Sequence, residues 1–267
     1  MKKSRPDFAT IGGLAVAITG IAAGLILEGG RLQDVAQFTA AIIVLGGTLG
    51  AVMITTPQAV FLRAARQVRH VFFATAESTP DRIEEIIALA LQSRKSGIIS
   101  LDKRAADIPD PFLRKALELA VDGMAPAHIR DIMQVDIELF EQDAEEDAKV
   151  FETAGGYAPT IGIIGAVLGL IQVMKHLADL DAVGRGIAVA FVATLYGVGA
   201  ANLFFLPAAN KLRARTQAAA RLKELTLEGV IGIAEGTHHW VIRRKLETFL
   251  SPGSAPHAPA LAAVKSA

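Results

Sequence analysis

Four stretches without a charged side chain constrain this sequence more than any other feature. They lie between Asp7 and Glu28, Asp34 and Arg63, Glu152 and Lys175, and Arg185 and Lys211. Each is long enough to cross a hydrocarbon core, which takes about 20 helical residues. Lipid offers no water to the backbone, so a crossing segment must satisfy its own hydrogen bonds as a helix. Composition agrees: 52% of the 267 residues are hydrophobic, only 6% are aromatic, and 24 are Gly. Helices in lipid gain little from burying apolar surface on each other, so they associate through small residues that let backbones approach. The expected fold is all-α: a polytopic membrane protein with four transmembrane helices and a large helical cytoplasmic region. Lys2, Lys3 and Arg5 precede the first stretch. Its apolar run exceeds the roughly 7–15 residues of a signal peptide, and no small-x-small cleavage site follows, so a retained span is expected.

Loop charge orients the spans. The short loops 28–34 and 175–185 hold only Arg31, Lys175 and Arg185 as basic residues, and the other 24 of 27 Lys and Arg lie elsewhere. Basic residues stay on the cytoplasmic side during insertion, which puts both termini and the long middle segment in the cytoplasm. The chain divides accordingly into an N-terminal tail with spans one and two (1–62), a cytoplasmic helical domain (63–152), spans three and four (153–210), and a C-terminal helix with its tail (211–267).

The middle segment reads as helical. Ser78, Thr79, Pro80 and Asp81 form a helix start, with Ile83, Ile86, Ile87 and Leu89 as its apolar face and Gly97 as its stop. Asp110-Pro111 starts a second helix ended by Gly123. A third begins near Pro126 and is expected to run through the acidic stretch 141–147 toward the membrane. That acidic run reads as a solvated helix face. Residues 58–152 hold 12 basic and 18 acidic residues, and 211–267 hold 9 and 4. The basic start of the tail, Lys211 to Lys223, is therefore expected to pair with the acidic helix or lie near anionic headgroups. Ser251 to Ala267, rich in Ala and Pro, is expected to be disordered.

Several classes of chemistry lack their residues. Cys is absent, and no phosphate-cradling Gly loop, metal-ligand cluster or Ser/His/Asp arrangement is visible. No catalytic residue, resident metal or cofactor is expected, and no nucleic-acid partner. His238-His239-Trp240 has no third ligand at helical spacing and reads as a surface feature. The spans contain no Asp, Glu, Lys, Arg or His. An ion is costly in hydrocarbon and its path usually needs an ionisable group, so this chain either is structural or borrows an acid from a partner.

The third span contains Tyr157-Ala158-Pro159-Thr160-Ile161-Gly162 and continues to Gly165, Ala166 and Gly169. The fourth contains Ala193-Thr194-Leu195-Tyr196-Gly197-Val198-Gly199 and ends Phe205-Leu206-Pro207-Ala208-Ala209. These strings, with Val44-Leu45-Gly46-Gly47-Thr48-Leu49-Gly50-Ala51 in the second span, resemble the MotA/PomA family of flagellar stator subunits, within the wider MotA/TolQ/ExbB proton channels. The resemblance implies a bacterial inner-membrane protein in a homo-oligomeric ring, a pentamer, around a MotB-like dimer that supplies the ion-binding Asp. Ion flow would then turn one ring against the other and pass torque to the rotor protein FliG, with membrane lipid as the remaining contact.

Carried over residue by residue, Pro159 and Pro207 fall on the family's two prolines. Each removes a backbone donor and frees a carbonyl one turn earlier, making a kink or hinge. Thr194 matches a hydroxyl near the ion path, with Tyr196 beside it, though a Thr here can equally bond back to Ala190. At Ala166 and Ala193 the sodium-driven relatives carry Thr. Methyls in place of hydroxyls remove oxygen ligands that a hard cation wants, so the transported ion is expected to be the proton rather than sodium. Arg94, Lys95 and Asp102 fall on the family's rotor-facing charges, with Asp shorter than the usual Glu. The competing readings are a TolQ/ExbB-type energiser, against which four spans count, a sodium-driven PomA-like stator, a structural scaffold and a stand-alone transporter.

Overall fold

The computed structural model describes residues 5–74 and 78–250. The expected disorder of Ser251 to Ala267 concerns residues outside that range. Helices dominate. The first span is α1 (Phe8–Leu27), capped by the Asp7 side chain, which accepts from the Thr10 N–H at 3.2 Å. A 3-10 turn (Leu32–Val35) leads into the second span, built from α2 (Phe38–Ala41), a π turn (Ile42–Gly46) and α3 (Gly47–Thr55). After Pro57 the chain turns into the amphipathic α4 (Gln58–Phe72). Two two-residue strands, β1 (Arg5–Pro6) and β2 (Phe73–Ala74), pair antiparallel with Arg5 opposite Ala74.

Next come α5 (Thr79–Ser96), a 3-10 turn (Ile98–Leu101), α6 (Asp102–Asp107) and α7 (Pro111–Val121). The expected signals act where they stand. Ser78 caps α5 with Pro80 in its first turn, and Asp110 caps α7 by accepting from the Phe112 N–H at 2.9 Å. Gly97, at φ 80° and ψ 158°, stops α5 in a conformation that a Cβ would disfavour. The acidic stretch does continue into the third span, since α8 (Pro126–Lys175) is one helix of 50 residues. The fourth span is the part of α9 (Leu180–Ala200) beyond Arg185, a π turn (Ala201–Phe205) and the start of α10 (Leu206–Ala234), followed by α11 (His239–Glu247).

The chain forms two compact units, residues 1–76 with 142–216, and residues 77–141 with 217–267. In the first unit, Val71 of α4, Ala148, Phe151 and Ala154 of α8, and Ala208 and Leu212 of α10 share one buried cluster with Val52. Around it, Arg63 reaches Asp147 at 2.6 Å, Glu146 at 3.0 Å and Asp143 at 3.1 Å. Arg213 reaches Glu145 at 2.7 Å and Glu152 at 2.5 Å. The acidic face is thus not simply solvated: it is met by the basic start of the tail, one of the two expected fates of that segment. At the foot of α1, Asp7 is held by Lys211 at 2.7 Å and Arg215 at 2.6 Å. No residue of α1 is itself buried.

In the second unit a core of Ile86, Leu89, Leu101, Leu113, Leu117, Ile129, Met133, Ile137, Leu225, Ile231 and Leu246 is closed to solvent. Its apolar positions recur at helical spacing, which is why this region reads as helices in the sequence.

Candidate functional site

Glycine-to-backbone approach builds the membrane part of the site. A methyl placed on Gly197 would come 2.5 Å from the Ala158 carbonyl oxygen, and one on Gly162 would come 2.9 Å from that of Ala193. The same holds a few turns on, where a methyl on Gly169 would meet the Gly186 carbonyl oxygen at 2.7 Å. Third and fourth spans therefore touch main chain to main chain, which only residues without side chains permit. The second span joins them: a methyl on Gly47 would strike Ile161 at 2.7 Å, and Ala40 and Val44 are buried with Val192 and Ala193.

Pro159 and Pro207 lie on this pair of spans, Pro159 half-buried and Pro207 exposed, in helices that continue past them. Pro207 lies two residues past the π turn, whose closing Leu206 N–H reaches back to the Ala201 carbonyl. The wider turn is the local answer to a ring that cannot donate and that crowds the preceding turn. Asn202 completes it by donating from its side chain to the Val198 carbonyl at 2.9 Å. Asn202 and the two π turns are features that reading the sequence missed. A carboxamide in an otherwise apolar span, four residues after an acceptor, was the available signal for the second turn; the first has no proline to announce it. Thr48, just beyond that first turn, is fully buried with no hydrogen-bond partner among the described residues.

The other sequence-predicted positions separate. Thr194 donates to the Ala190 carbonyl at 3.3 Å, so its hydroxyl is held within the helix. Tyr196 donates to the Val35 carbonyl at 2.6 Å and accepts from the Gln37 N–H at 3.3 Å, fastening the fourth span to the entry of the second. Ala193 is fully buried against Gly165, whereas Ala166 is half-exposed. Among the described residues these spans place no carboxylate, ammonium, guanidinium or imidazole group in the bundle, and no cluster of His, Asp and Glu that could hold a metal occurs.

In the second unit, Arg94 and Lys95 end α5 and Asp102 begins α6, all three exposed. Cations suit a helix C-terminus and an anion an N-terminus, so each also has a local electrostatic reason for its place. The connection between them is firmly held: Leu101 is buried, Gln92 donates to the Ser100 carbonyl at 2.9 Å, and Arg104 donates to Gln92 at 3.1 Å. His238 caps α11 by accepting from the Trp240 N–H at 3.3 Å, the surface role expected of it.

Fold and site together define a four-span helical membrane protein whose second, third and fourth spans pack through glycine contacts and whose spans carry no Asp, Glu, Lys, Arg or His. The MotA/TolQ/ExbB proton channel family model matches residues 104–224, and that of the motility protein A N-terminal region matches residues 11–96. Motility protein A of Bacillus subtilis (strain 168) is 34% identical over 248 residues, 91% of each chain. Among solved structures, C. jejuni MotAB superposes with a TM-score of 0.88 at 32% identity, covering 92% of this chain and 97% of that one. The flagellar MotAB stator complex from Bacillus subtilis gives 0.85 at 33% identity, covering 92% and 96%. The chain belongs to the motility protein A (MotA) family.

Proposed function

We propose that this chain is the MotA-type subunit of a flagellar stator, lying in the bacterial inner membrane with both termini in the cytoplasm. Several copies, a pentamer by the family pattern, would surround a MotB-like dimer, and together they would form an ion path. The observation that carries this reading is the bundle without ionisable groups in a chain whose relatives were solved as MotAB complexes. Such a bundle lowers the cost of an ion only with a carboxylate from outside, and a partner's intramembrane Asp supplies it. Pro159 and Pro207 then act as hinges that let the helices follow the protonation state of that Asp. Methyls at Ala166 and Ala193 support the proton over sodium, because they offer no oxygen ligand. Arg94, Lys95 and Asp102 form the charged surface offered to FliG. The role is that of an ion-driven motor subunit, not an enzyme. The match to a motility protein A N-terminal model over residues 11–96 favours the motor branch over the TolQ/ExbB energisers.

Swimming of a stator-deleted strain complemented with this chain and its cognate MotB-like subunit tests the reading. Rotation is expected to be restored, to ignore external sodium and to stop with a proton uncoupler. Pro159→Leu is expected to insert and assemble but not rotate, and Arg94→Glu to lose most torque. A stable complex that never rotates, or rescue of outer-membrane energisation instead, overturns the proposal.

A further inference from the structure

A cleft of about 710 Å³ opens where α8 ends and α9 begins, beside the start of the second span. That size lies within the roughly 300–1,000 Å³ of ligand sites. Thr39 and Ile43 at the start of the second span stand there beside Leu168 and Gly169 of α8 and Gly186 and Val189 of α9.

The cleft is amphipathic. Ile43, Leu168, Ile171 and Val189 line its walls, and Lys175 and Arg185 stand at its rim. Both cations are exposed, and neither has a carboxylate oxygen within 4.0 Å among the described residues. The nearest rim acid is already engaged: Asp179 Oδ1 accepts from the Asp181 and Ala182 N–H groups at 3.0 and 3.1 Å. His176 is turned onto the Gln172 carbonyl at 3.0 Å. Two exposed cations without a direct ion pair at the edge of a membrane span, beside a slot of aliphatic side chains and with only Asp179 among the described residues in electrostatic reach of Arg185, ask for a ligand that is anionic at one end and a hydrocarbon at the other. A soluble anion would use only the rim. A zwitterionic lipid would bring its own ammonium beside Lys175 and Arg185.

We infer that this cleft binds an anionic phospholipid, its phosphate between Lys175 and Arg185 and an acyl chain along Val189 and Leu168. Cations near a membrane surface attract anionic headgroups while their stems cover apolar surface. The inference concerns the membrane fold and does not depend on the motor reading.

The test uses the full chain purified with its MotB-like partner, incubated with equal phosphatidylglycerol and phosphatidylethanolamine, and read by native mass spectrometry for lipids retained per complex. The wild type is expected to retain phosphatidylglycerol preferentially. Lys175→Gln with Arg185→Gln is expected to lower that preference on the order of tenfold, and Lys175→Arg to keep it. Added inorganic phosphate is expected not to displace the lipid. Equal retention of both lipids by the wild type, an unchanged preference in the double variant, or no lipid retained because a neighbouring copy fills the cleft overturns the inference. If the double variant does not assemble, Val189→Trp decides: it blocks the slot while keeping both cations, and undiminished lipid retention in it overturns the proposal.

Discussion

The methyl group of Ala193 fills the space above Gly165 and is wholly enclosed, whereas Ala166, one position past that glycine, is half-exposed. A hydroxyl added at the two places therefore has different consequences. Ala193→Thr forces extra atoms into a closed contact and is expected to cost about 1–3 kcal/mol of stability, as overpacked cores do. Ala166→Thr is expected to stay within about 0.5 kcal/mol, as exposed substitutions usually do. Thermal unfolding of the purified complex measures both, and equal midpoints would show that Ala193 is not enclosed as described. At the same scale, Thr194 illustrates how a residue can be read in two ways. Its spacing from Ala190 allows the backbone bond that the structure shows, and nothing in that bond requires or forbids a place near an ion.

Contact between the third and fourth spans rests on positions where a side chain would meet main chain. Gly197→Val would drive atoms into the Ala158 carbonyl, which cannot retreat without moving a helix, and is expected to cost about 1–3 kcal/mol. Gly199→Val, two residues on, sets its Cβ where nothing lies within 4 Å and serves as the tolerated control. Yield of assembled complex and its unfolding midpoint compare them; a Gly199 variant as damaged as the Gly197 one would place the helix contact elsewhere. Much at this scale was legible: caps at Ser78 and Asp110, the stops at Gly97 and Gly123, and a single helix from Pro126 through the acidic stretch. The π turns were not. A π turn depends on how a helix reconciles one missing or displaced hydrogen bond with its neighbours, and hydrophobic periodicity does not record that. The same limit applies to Tyr196, whose partners Val35 and Gln37 lie about 160 positions away in the chain.

Both units are bound at their edges by carboxylates hydrogen-bonded to basic side chains, and this sets the response of the whole molecule to acid. Lys211 and Arg215 hold Asp7 far below its ordinary value of 3.8. Arg243, Arg213 and Arg130 hold Glu84, Glu145 and Glu228 below their ordinary 4.5. Such groups contribute stability that is complete above the unfolded value and lost as pH falls through the depressed folded one. His70, lowered from 6.5 by burial, adds an earlier decline, since its protonated form is favoured by unfolding. Helix content of the complex in detergent is therefore expected to soften slightly below pH 6.5 and to fall steeply below 4.5, with no loss from these groups between 7 and 9. Arg213→Met is expected to move the steep fall to higher pH; an unmoved profile would remove the Arg213 pairs from the account.

What the sequence determined by itself was what depends on neighbours along the chain. Spans follow from uncharged length, helix ends from caps and glycine, and the need for an external acid from the absence of ionisable residues in four apolar runs. The family resemblance added which prolines and charges to watch. Tertiary structure decided what depends on which helices meet. It enclosed Ala193 and left Ala166 half-open, and joined the acidic face of α8 to Arg63 and Arg213. It also opened a cleft beside the start of the second span. Local hydrogen bonds and hydropathy act within a few residues and are written in order, whereas side-chain space and charge pairing arise only when distant segments come within a few ångströms.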